Sequence, residues 1–105
     1  MSATLLAIFK RPEGGDDALE EFMTRYLGEH MPLIEEVPGL RASVVEPVGQ
    51  HFAGDDLVVV TRMEFDDRAA LEAGMASDEM RVAGRNLRDI APGLLTLVAL
   101  DEPVS

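Results

Sequence analysis

The chain of 105 residues has no cysteine, which excludes disulfides and thiolate metal sites and fits a reducing compartment. Histidine is nearly as scarce. His30 and His51 stand twenty-one positions apart with no His-x-x-x-His pair, so no metal site is expected. Cationic side chains are few: Lys and Arg total 9 against 20 Asp and Glu, for a net charge of −11. Such a surface repels polyanions and excludes nucleic acid and anionic lipid as expected partners. There is no long apolar run. The N-terminal one, Leu5 to Phe9 with Ala3 before it, has no basic region ahead of it. It is too short for a signal segment or a membrane span, so a cytoplasmic protein is expected. Gly14-Gly15 lacks the lysine and spacing of a phosphate loop, and no serine sits in a nucleophile-elbow context. Nothing marks a haem or flavin site, so the expected cofactor is none. Repeats, low-complexity tracts and linkers are also missing. Residues 1–105 therefore read as one domain, long enough to bury roughly 60–70% of its unfolded surface.

What is present is a series of short periodic elements. Thr4 to Lys10 is apolar on both alternating faces and reads as a central strand, broken by Arg11-Pro12-Glu13-Gly14-Gly15. Asp17 with Glu20 resembles a capping box at a helix start. The stripe Leu19, Phe22, Met23, Tyr26, Leu27, His30, Ile34 and Val37 then runs in steps of three and four. Pro32 disfavours helical geometry at Met31 and predicts a kink or restart near His30. Pro38-Gly39 closes that segment. Leu40 to Val48 and Leu57 to Phe65 read as strands of a hairpin. Asp66 or Asp67 caps a short helix through Met75, and Ser77 starts another carrying Met80, Ala83, Leu87 and Ile90 on one face. Leu94 to Leu100 forms a final strand.

The order β-α-β-β-α-α-β predicts an α+β, ferredoxin-like sandwich with a four-stranded antiparallel sheet. Helices cover one face of such a sheet, yet the first, third and fourth strands are apolar on both faces. No element remains to cover the second face, so a second copy of the chain, a homodimer, is expected.

Several segments are similar to the EthD-like family of the dimeric α+β barrel superfamily. They are the opening strand running into Arg11-Pro12-Glu13, Phe22 in the first helix, and His30-Met31-Pro32-Leu33. Pro38-Gly39-Leu40-Arg41 and Phe65-Asp66 follow. The most specific part is His30 followed eight positions later by Pro-Gly-Leu-Arg. The resemblance implies two subunits whose sheets pack face to face, with helices outside and a cavity between sheet and helices in each. Relatives such as muconolactone isomerases and cofactor-free quinone-forming monooxygenases hold small, largely apolar molecules there. A family transfers a scaffold more securely than an activity.

His30 has two readings: a neutral core histidine bonded on both ring nitrogens, or a proton carrier in an apolar cavity. The motif brings the second forward, and His30 is the candidate catalytic residue. The candidate substrate contacts are Tyr26, Arg41 and Phe22. Tyr26 lies one turn before His30, and Arg41 stands where an anionic group could reach it unless it is solvated or paired with Glu46. The expected function is a cofactor-independent enzyme acting on a small apolar carbonyl or aromatic metabolite by isomerisation, decarboxylation or oxidation. The alternatives are a non-catalytic binding or accessory protein for a hydrophobic metabolite, and a structural dimer whose cavity its own methionines fill.

Overall fold

The structure, a computed structural model, describes residues 2–104. Strand β1 (Ala3–Lys10) leads into helix α1 (Gly15–Arg25), a five-residue π turn (Tyr26–His30) and a short helix α2 (Met31–Ile34). Strands β2 (Leu40–Pro47) and β3 (Leu57–Phe65) follow, then helices α3 (Arg68–Met75) and α4 (Asp78–Ile90) and strand β4 (Leu95–Ala99). The sheet order is β2-β3-β1-β4, antiparallel throughout, which is the ferredoxin-like arrangement expected from the sequence.

The two periods of the sequence set the layers. In β1, and in β3 from Val59 on, the odd-numbered side chains, including Leu5, Phe9, Val59 and Phe65, are buried under the helices. Phe22, Tyr26, Ile34, Leu71 and Leu87 come down onto them from the helical layer. Phe9, Phe22 and Tyr26 form an aromatic triangle with ring centroids 5.0 to 5.5 Å apart, within the range of favourable aromatic pairs. Gly74 of α3 is required by close approach. A Cβ there would stand 2.8 Å from Phe65 Cε2 and 3.2 Å from the Pro38 carbonyl, so α3 docks on β3 at a distance only glycine permits.

Two local expectations are corrected. Helix α1 begins at Gly15, and its cap is Gly14 with φ 113°, without a side-chain bond. Asp17 therefore lies inside the first turn, where with Asp16 it complements the helix dipole instead of capping. The helix also does not break at Pro32. It widens: the Met31 N–H donates to the Tyr26 carbonyl, five residues back. Proline has no N–H to give and its ring crowds the carbonyl four residues earlier, and the wider turn absorbs both. By contrast, Asp67 and Ser77 cap α3 and α4 as expected, accepting from the Ala70 and Met80 N–H groups.

The other sheet face has no helices over it. Ile8 pairs with Val60 and Leu6 with Val98, and Val44 lies outermost, half exposed. The apolar patch is narrower than the strand patterns alone suggest. At one end, Thr4 donates to the Glu64 carboxylate and Arg62 stands exposed beside them.

Candidate functional site

Between the helix-covered face of the sheet and α4 lies a cavity of about 320 Å³. Ligand sites begin at roughly this size, about 300 Å³. Leu5, Ala7 and Leu97 form its floor, Tyr26 and His30 one wall, and Gly84, Leu87 and Arg88 of α4 another. Met63, Met75 and Met80 line the space without filling it. β4 is one of the two edge strands, and Leu95, 38% exposed, marks the open side.

The π turn positions the wall. Tyr26 and His30 both point inward, 1% and 4% exposed, with rings stacked at 5.3 Å and 22°. The Tyr26 hydroxyl shares a 2.5 Å hydrogen bond with the Thr61 hydroxyl of β3. Burial pushes the phenol up to about 12, against the pull of that bond, so it stays protonated at neutral pH.

His30 Nδ1 lies 3.2 Å from Oδ1 of Asn86 in α4. Asn86 uses its amide N–H on Glu29, 3.3 Å away, and Arg25 grips Glu29 at 2.9 Å while also reaching Asp89. That pairing, chiefly the Arg25 hydrogen bond, holds the Glu29 carboxyl below its ordinary value and so anionic. With its N–H committed to a carboxylate, Asn86 offers only a carbonyl oxygen to the ring. His30 must then donate from Nδ1, which leaves the lone pair on Nε2. Nε2 meets no side-chain partner among the described residues, and the Ala83 carbonyl of α4 is the other acceptor close to the ring. No fully buried side-chain nitrogen or oxygen there lacks a partner, and the His30 ring lines the cavity. Burial lowers the imidazole pKa, against the raising effects of Asn86 and the nearby Ala83 carbonyl, and keeps the ring neutral at pH 7. A neutral ring fixed at Nδ1, with a lone pair on Nε2, can accept a proton and return it.

The structure thus brings Tyr26 and His30 together at the cavity and leaves two candidate contacts out. Phe22 does not line it; one turn before Tyr26, it is spent on the aromatic core against Phe9. Arg41 projects from β2, the edge strand opposite β4, largely exposed, and pairs with Asp66 at 3.4 Å instead of Glu46. Asn86 and Arg88 are residues that sequence reasoning missed. The only signal was their place on α4 beside the apolar stripe, with Gly84 and Arg88 one turn apart on the cavity side. Among the described residues no three His, Asp or Glu side chains cluster to hold a metal ion, and no helix is long and apolar enough to cross a membrane.

The fold and cavity define a class, the ferredoxin-like α+β proteins with a small-molecule-sized space between sheet and helices. No family model matches the chain, and no curated protein does. Solved structures do match. An ethyl tert-butyl ether D (EthD) family protein from Bacillus halodurans C-125 superposes with a TM-score of 0.84 at 29% identity, over 98% of this chain and 100% of that one. A dimeric ferredoxin-like protein of unknown function from Jannaschia sp. CCS1 gives 0.70 at 22% identity, over 97% and 100%. A DABB family protein with a ferredoxin-like fold from Mesorhizobium loti gives 0.73 at 13%, over the full length of both. Over nearly its whole length the chain is similar to this EthD family protein, and it shares the ferredoxin-like fold of the other two.

Proposed function

We propose that the protein is a homodimeric, cofactor-independent cytoplasmic enzyme for a small, largely apolar carbonyl or aromatic metabolite, with His30 as proton carrier. The single observation behind this reading is the placement of His30, anchored at Nδ1 by Asn86 with its ring lining an apolar cavity. Nε2 would take a proton from carbon or oxygen of the bound molecule and return it elsewhere, as isomerisation requires. Oxygen-dependent oxidation needs the abstraction, with the substrate's electrons passing to dioxygen. Decarboxylation instead needs a proton delivered to the carbon that loses CO2, which Nε2 could supply only after taking one from the substrate's acidic group. The dimer would pack two copies through the uncovered sheet face, in keeping with similar proteins described as dimeric.

One observation favours the rival reading, a binding or accessory protein. The Tyr26 hydroxyl is already taken by Thr61, which leaves His30 and Arg88 as the lining side chains with polar groups to offer an otherwise apolar space.

Mass spectrometry of small molecules that copurify with the protein, followed by incubation of the compound found, separates the two. An enzyme converts it, and His30→Ala lowers turnover about 10²–10⁴-fold while the protein still binds. Recovery of the compound unchanged with wild-type protein overturns the catalytic reading and leaves the carrier.

A further inference from the structure

The cavity departs from the rest of the molecule in charge. The chain carries 20 acidic residues and a net charge of −11, yet no aspartate or glutamate lines the cavity and one arginine does. That arginine is Arg88, in the last turn of α4. Its guanidinium lies back along the helix over Gly84: Nη1 is 3.9 Å from where a Cβ at Gly84 would stand. A larger side chain at 84 would contest that space. Four other arginines, Arg11, Arg25, Arg41 and Arg81, are held in ion pairs, whereas Arg88 makes none among the described residues. Its donors are therefore uncommitted at the rim of an apolar space.

We propose that Arg88 is the specificity-determining residue of the cavity and that the natural ligand is a small apolar carboxylate. Its hydrocarbon body lies against Leu5, Leu97 and the stacked Tyr26–His30 wall. Its carboxylate stays at the mouth on the Arg88 fork, where geometry suits two parallel N–H···O bonds. Placement at the rim matters, because an anion carried to the apolar floor would lose its hydration without compensation. The surrounding negative surface repels anions in general, and the cationic mouth gives one kind of anion a destination. This inference rests on the cavity being a small-molecule site but not on catalysis there.

The test uses two probes of the same shape, 2-naphthoate and 2-naphthamide, titrated into the intact protein. The chain has no tryptophan, so naphthyl fluorescence reports binding directly. Naphthoate should bind about tenfold or more tighter than the amide, as a charge-assisted contact predicts. Arg88→Gln should abolish that difference and leave amide affinity within about twofold. Arg85→Gln removes the same charge from an exposed α4 position that does not line the cavity, and it should preserve the preference. Equal binding of the two probes to wild type overturns the anion assignment and leaves the cavity reading standing. A preference lost equally in both variants assigns it to overall charge and overturns the role of Arg88. Failure of both probes to bind overturns the cavity reading together with this one.

Discussion

His30 Nδ1 and Asn86 Oδ1 meet at 3.2 Å across 56 positions of sequence, joining the π turn after α1 to the middle of α4. Asn86 acts on His30 from the side away from the cavity and decides which nitrogen carries the ring proton. Nitrogen-15 NMR of the neutral protein should show His30 protonated at Nδ1 and bare at Nε2. Asn86→Ala should release the ring toward the Nε2-protonated form that dominates in a free histidine side chain, with little change in fold. A wild-type spectrum already showing Nε2–H would mean that His30 offers a donor to the cavity, and the base assignment would fail.

The same burial makes stability depend on pH. The folded-state pKa of His30 is lowered, mainly by burial, so the unfolded chain binds that proton more readily. The stability His30 contributes is therefore complete above its unfolded pKa of about 6.5, and it is lost as pH falls toward and through the lower folded value. The groups around the ring do not blur this window. Tyr26 stays protonated, and Glu29, facing the ring through Asn86, titrates below its ordinary 4.5. Chemical denaturation from about pH 8 to 5 should show stability falling across the lower half of the range for wild type. His30→Gln should flatten that slope, and an unchanged slope would show that the ring titrates as if solvated.

The uncovered sheet face carries the third expectation. Sedimentation at micromolar concentration should give twice the chain mass. Val60 pairs with Ile8 near the centre of that face, so Val60→Asp places a charge where the second copy would pack. It should weaken the dimer by about hundredfold or more while leaving the circular dichroism spectrum unchanged. A wild-type chain that sediments as a soluble monomer removes the dimer from the proposed function.

The sequence by itself determined the order of elements, because strand and helix periods are local properties of the chain. The run from Leu57 to Phe65 and the caps Asp67 and Ser77 stand where their patterns place them. The inward turn of His30 and Tyr26 was legible for the same reason, as was the disturbance at Pro32, although its form as a π turn was not. Only the tertiary structure decided which of the inward residues meet empty space. Phe22, Tyr26 and His30 share one stripe, yet Phe22 ends in packed aromatic rings and His30 ends at a cavity. The difference comes from what β1 and α4 bring opposite each of them. The partners of His30 were hidden for that reason. Asn86 and Arg88 are ordinary polar positions on an amphipathic helix until the fold brings α4 against the π turn, and contacts across such distances in sequence leave no periodic trace.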